Sequence, residues 1–151
     1  MEDVEVARHV AAPVERVWAL ATDLAGAPAV MSGIDSVEVL TPGPFGVGTR
    51  WRETRTMMGR SATEEMTVTA VEPRRGYTVE AESSGVRYVS TCAFAEAADG
   101  GTDVRMTFGG TPSSAVARVL AAVTGPLVRR SVMKALDRDL ADLAAAAEHA
   151  G

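Results

Sequence analysis

Apolar and polar positions change their period twice along this chain, and the two changes divide it into three stretches. Residues 4–11 alternate, with Val4, Val6 and Val10 on one face, which predicts a first strand. Ala12-Pro13 ends it, and Pro13 suits a first helical turn because its missing N–H has no partner to lose there. Val14, Val17, Trp18 and Ala21 then form one apolar stripe, predicting a helix that ends near Asp23. A second short helix is expected over 24–32, interrupted by Gly26 and Pro28.

From Ile34 to Thr111 the period is two. Strands are expected at about 35–41, 49–58, 61–72, 77–84, 86–96 and 102–110. Turn residues separate them: Pro42-Gly43-Pro44, Gly59-Arg60, Glu72-Pro73-Arg74-Arg75-Gly76, Ser84-Gly85 and Asp99-Gly100-Gly101. Gaps this short allow only antiparallel hairpins. Residues after Pro112 return to the helical period, with Ser113 or Ser114 as cap. Val116, Leu120, Val123 and Leu127 run down one face, and Met133, Leu136, Leu140 and Leu143 are read as its continuation. Gly125-Pro126 should kink or break that helix. A sheet of seven strands cannot leave its apolar face in water, and the long helix is the one element large enough to cover it. The expected fold is therefore α+β: two short helices after the first strand, then a curved antiparallel sheet wrapped around a C-terminal helix. Residues 1–151 read as one domain, with no linker or repeat.

Composition narrows the function. The net charge is −5 and no basic or basic-aromatic tract occurs, so nucleic acid is not an expected partner. The single cysteine, Cys92, forms no internal disulfide and reads as a small buried hydrophobe. The acidic start Met1-Glu2-Asp3-Val4 is no signal peptide, and no segment approaches the ~20 apolar residues of a membrane span. A cytosolic location is the expectation, with monomer or homodimer left open. His9 and His149 lie far apart without a completing Asp, Glu or Cys set, so neither a metal nor another cofactor is expected. Gly46-x-Gly48 precedes a strand and lacks a following Lys-Ser/Thr, so it is a hairpin rather than a phosphate loop.

The chemistry-bearing residues lie on the third and fourth strands. Trp51, Glu53, Arg55 and Met57 share one face; Ala62, Glu64, Met66 and Val68 share one on the neighbour. A two-residue turn at Gly59-Arg60 sets Arg55 opposite Glu64, whereas a turn at Met58-Gly59 sets Glu53 opposite Glu64. Charge complementarity favours the first. Either way the charges share the apolar face, which is expected to look inward. They form a structural ion-pair lattice or a polar anchor for a ligand. Tyr77, Val79, Tyr88, Ser90, Cys92, Phe94, Val104, Met106 and Phe108 follow by alternation. The ligand-contacting set is taken as Trp51, Glu53, Arg55, Met57, Glu64, Met66, Tyr88, Ser90, Met106, Phe108, Leu120, Val123 and Leu127. No Ser-His-Asp or Cys-His set can be assembled, and no catalytic residue is assigned.

The local text resembles the START-like, or SRPBCC, superfamily with its helix-grip fold. Ala12-Pro13, Val17-Trp18 and Asp23 resemble its opening "AP…VW…D". Ile34 to Val39 resembles its second strand, Gly46-Val47-Gly48-Thr49-Arg50 its "G-x-G-T-R", and Glu72-Pro73 the turn after its fourth strand. The resemblance covers the whole chain and is nearest to the bacterial polyketide cyclase/dehydrase or lipid-transport-like branch. It implies binding of a hydrophobic small molecule (a lipid, quinone or polyketide-like ring) in an internal cavity. The alternatives are a cyclase or dehydratase in that cavity, with Glu53 or Glu64 as base and Arg55 or Tyr88 steadying an oxyanion, and a protein-interaction module. Many relatives carry a tryptophan after the proline of the second helix. Here Ala29, Val30 and Met31 follow Pro28, which implies a different lid.

Overall fold

The computed structural model describes residues 3–57, 59–83 and 85–149, the side chains of 121, 123 and 124 excepted. The element order is β1 (Val4–Val10), α1 (Val14–Ala21), α2 (Ala27–Val30), β2 (Ile34–Val39), β3 (Arg50–Met57), β4 (Arg60–Glu72), β5 (Gly76–Ser83), β6 (Val86–Glu96), β7 (Thr102–Pro112) and α3 (Ala115–His149). The strands form one antiparallel sheet in the order β1-β7-β6-β5-β4-β3-β2. Hairpins make every neighbour from β2 to β7. The α1–α2 excursion carries the chain from one sheet edge to the other.

The C-terminal half of α3 closes the core. Leu140 and Leu143 are at most 1% exposed, and with Ala144 and Ala147 they pack on Val6, Val10, Val17, Phe94 and Val104. Polar latches hold it there. The Ala11 N–H donates to Glu148 Oε2 at 2.9 Å, and Arg16 Nη1 to the Ala147 carbonyl at 3.2 Å. The N–H and hydroxyl of Ser32 both donate to Asp142. Thr102, fully buried, satisfies its hydroxyl on the Ala12 carbonyl. Helix α3 packs on β1 and β7, yet also reaches β3 through Asp139 and the loop before β2 through Asp142. One helix meets both edges of a seven-stranded sheet only because the sheet curls around it.

A smaller cluster of Trp51, Val68 and Val79 continues the core across the sheet, joined to the first through Val37 and Tyr77. The Trp18 ring meets Phe94, Tyr77 and Phe45 edge-on, with centroids 5.5, 6.1 and 6.4 Å away. Edge-to-face aromatic contacts are worth about 0.5–1.5 kcal/mol each beyond area burial.

At the other end of α3 the helix runs through Pro126 without a break, which leaves a kink as the remaining form of the expected disturbance, and one expectation is corrected. The apolar residues before and after it do not form one stripe. Val116, Val119, Leu120 and Leu127 are 59–71% exposed, whereas Met133, Leu136, Leu140 and Leu143 face the core. At ~100° per residue the first group points nearly opposite to the second. The start of the helix is pinned differently. Ser114 Oγ caps the Ala117 N–H, the Ser113 hydroxyl donates to the Gly85 carbonyl, and Ala117 is buried against the β5–β6 turn.

Candidate functional site

Alternation on β3 turns Trp51, Glu53, Arg55 and Met57 to the inner face, as the pattern required, with Trp51 buried and the other three half-buried. The cross-strand pairing differs from the charge-based reading. Met57 pairs with Arg60, so Glu53 lies opposite Glu64 and Arg55 opposite Ala62. Met58, in the turn, lies outside the described residues. A cross-strand charge pair supplies roughly 0.2–1 kcal/mol. That is too little to outweigh a register that sets Trp51 beside Met66 and joins the hydroxyls of Thr54 and Thr63 at 2.8 Å.

Arg55 finds better partners than Glu64. Its Nε donates to Glu53 Oε2 at 2.7 Å, while Nη1 and Nη2 donate to Asp139 Oδ1 and Oδ2 at 3.1 and 2.7 Å. Trp51 Nε1 donates to the other Glu53 oxygen at 3.3 Å. The fork of a guanidinium matches a carboxylate in this two-point manner. One N–H on each terminal nitrogen stays uncommitted to these acids. The close approach needs a small residue beside it: a Cβ on Gly33 would lie 3.2 Å from Arg55 Nη1 and 3.4 Å from Asp139 Oδ1.

The electrostatics are uneven. Burial by itself would lower the Arg55 pKa, but the hydrogen bonds and charge of Asp139, then those of Glu53, outweigh it and raise it. Arg55 stays a cation. Asp139 moves upward too, because burial, reinforced by Glu53 and Asp142, exceeds what Arg55 returns. Two carboxylates share one guanidinium, and burial with the negative charge they crowd together makes Asp139 hold a proton more firmly than an ordinary aspartate.

Nearer the hairpin tips, Met57, Glu64, Met66, Tyr88, Ser90 and Phe108 are half-buried on the inner face. Tyr88 stacks on Phe108 with centroids 5.2 Å apart, and Ser90 pairs with Phe108 across β6–β7. Burial, then the charge of Glu64, raises the Tyr88 pKa. Met106 is elsewhere: at 7% exposure it belongs to the closed core. Leu120 and Leu127 lie mostly in solvent and do not wall the interior. The side chain of Val123 lies outside the described residues.

Asp139 is absent from the residues chosen by pattern, although a signal existed. It is an acid three residues after Leu136 and four before Leu143, at the margin of the buried stripe. Cys92 is buried, its thiol pushed up to about 12 by burial, with the Tyr77 hydroxyl acting the other way. Tyr77 is itself raised by burial and by Cys92. His9 lies on the outer face between Asp103 and Asp99, at 2.8 and 2.9 Å. It borders a groove of about 470 Å³ that opens away from the inner face. Among the described residues no His, Cys, Asp and Glu trio is arranged to hold a metal, and no helix is long and apolar enough to cross a membrane.

Known proteins supply a frame for this geometry. A Thermus thermophilus protein of known structure superposes with a TM-score of 0.82 at 22% identity, covering 99% of both chains. A START superfamily protein from Mycobacterium smegmatis gives 0.79 at 14% identity, again over 99% of both. The Zhui aromatase/cyclase from Streptomyces sp. R1128 gives 0.80 at 19% identity, over 97% of this chain and 93% of that one. These likenesses show the helix-grip fold. No functionally curated protein matches in sequence. The family model described as "Polyketide cyclase / dehydrase and lipid transport" matches residues 1–148, and the chain belongs to that family.

Proposed function

We propose that this protein binds a hydrophobic small molecule, lipid, quinone or polyketide-like, in the cytosol, between the inner face of the sheet and the first half of α3. The observation that carries the reading is the contrast along that face. Met57, Met66, Tyr88 and Phe108 are apolar or aromatic, inward and half-buried, whereas the same face under Leu140 and Leu143 is sealed. Binding sites of this class pair an apolar wall with a few convergent polar groups. Arg55, Glu64, Tyr88 and Ser90 are suited to that part. Native mass spectrometry of the purified protein tests the reading, with co-purification of an apolar molecule as the expected outcome. A melting temperature unmoved by a panel of fatty acids, quinones and polycyclic phenols overturns it.

A cyclase or dehydratase is the second reading, favoured by the raised proton affinity of Asp139 against a guanidinium with N–H groups to spare. A carboxyl that holds its proton more firmly than usual is suited to general acid–base work, and Arg55 to an enolate oxygen. Asp139→Asn separates the two readings: turnover is lost while binding persists if catalysis is the role. A protein-docking role requires an exposed apolar patch, which Val116, Val119 and Leu127 supply. It also requires a filled interior, which the half-buried inner residues do not support.

A further inference from the structure

The inward stripe of α3 carries an arginine that forms no ion pair among the described residues. Arg129 lies four, seven, eleven and fourteen residues before Met133, Leu136, Leu140 and Leu143, on the stripe of α3 that packs into the core. Its direction is therefore inward, one turn beyond the last side chain that the closed core holds. Its Nε is out of contact with solvent and donates no hydrogen bond, the one buried side-chain nitrogen or oxygen so placed among the described residues. No carboxylate among them forms an ion pair with it. A buried N–H donor left unmade is costly, more so on a charged group.

The helix around Arg129 is open rather than tightly packed. Gly125 precedes Arg129 by one helical turn on the same inward side, and a Cβ built there meets nothing within 4 Å. The inward side of the helix is therefore unfilled one turn before Arg129. Arg55 cannot serve the same purpose equally, since Glu53 and Asp139 already over-balance its charge. Glu64, on β4, is an inward acid, and among the described residues no ion pair joins it to Arg129.

We infer that Arg129 is an anion anchor, and that the molecule held here has an apolar body ending in one anionic oxygen group, a carboxylate or a phosphate monoester. This rests on the hydrophobic-ligand reading above and narrows it to amphipathic acids. The body lies against Met57, Met66 and Phe108. The head takes the Nε–H and a terminal N–H of Arg129 in a two-point contact, the geometry a guanidinium favours for both anions.

The test compares dodecanoate, dodecyl phosphate and dodecanol by calorimetry on the full chain, as wild type, Arg129→Met and Arg129→Lys. A charge-assisted contact of this kind corresponds to roughly tenfold or more in affinity. Wild type is expected to bind one or both anions at least tenfold more tightly than the alcohol, and the stronger of the two identifies the head group. Arg129→Met is expected to erase that preference with dodecanol affinity within twofold, and Arg129→Lys to keep part of it. Removing an unpaired cation should leave the melting temperature of the Met variant unchanged or higher, so lost binding is not lost folding. Wild type that binds dodecanol as well as the anions, or an Arg129→Met protein that keeps the preference, overturns the anchor and leaves the hydrophobic-ligand reading standing. Binding of none of the three overturns the anchor as well, and the panel of quinones and polycyclic phenols then decides the hydrophobic-ligand reading separately.

Discussion

The two halves of α3 have similar apolar content and opposite fates. From Met133 to Ala147 its apolar side chains interlock with β1, β7 and α1, and carboxylates at 139, 142 and 148 tie it to three separate segments. From Ala115 to Leu127 the side chains of Val116, Val119, Leu120 and Leu127 are mostly exposed, and Ala117 with the two serines binds it to the β5–β6 turn. The difference lies in what faces the sheet. In the second half the inward stripe is leucine and methionine, which fill space. Ahead of Met133 the inward stripe has Gly125, which fills no space, and Arg129, which carries charge. One half closes a core; the other, on the reading proposed above, borders the bound molecule.

The largest effect expected from this contrast is in packing. Leu143→Ala should cost about 3–5 kcal/mol, because a fully enclosed side chain leaves a cavity behind. Leu127→Ala, made on the exposed face, should change stability by less than about 0.5 kcal/mol. Urea denaturation of both variants measures the gap, and equal losses would show that the first half is as well packed as the second. Next is the ion-pair bridge from the sheet to α3. Arg55→Met strands Glu53 and Asp139 together and should cost about 3 kcal/mol, the low end for breaking a buried pair, since the guanidinium keeps some solvent contact. Adding Asp139→Asn and Glu53→Gln should recover much of that loss, since no unpaired charge remains.

Gly33→Ala should cost about 1–2 kcal/mol by pressing a methyl group on the Arg55–Asp139 contact. Its effect should nearly vanish in an Arg55→Met background, which denaturation of the double variant checks. The smallest effect is expected on the outer face. The His9 pKa is raised by its Asp103 hydrogen bond, which together with the charges of Asp99 and Asp103 outweighs an opposing desolvation. A raised pKa means that the contribution is fully present below the ordinary histidine value of about 6.5, and is lost as pH rises through the higher folded value. Wild type should therefore lose slightly more stability than His9→Gln between pH 6 and 8, read as a small shift in urea midpoint that salt diminishes.

Periodicity is enough to place every element of this fold within a few residues, because a half-buried strand and a half-buried helix each write their own spacing into the chain. It also places Glu53, Arg55 and Glu64 on the inner face, since a strand's two faces follow from parity alone. The parity argument is indifferent to partners, and there the sequence reading fails. Charge matching pairs Arg55 with Glu64, the nearest acid on a neighbouring strand. The structure pairs it with Asp139, 84 residues away on another element. Helical spacing likewise groups Val116, Leu120 and Leu127 on one face, but whether that face meets the sheet depends on how the helix is rotated. The rotation is set by the deeper stripe at Leu140 and Leu143. Sequence by itself determined the elements, their order and which residues share a face of each strand, all consequences of local geometry. Tertiary structure decided which faces meet, because burial and ion pairing act between segments whose separation along the chain says nothing about their distance in space.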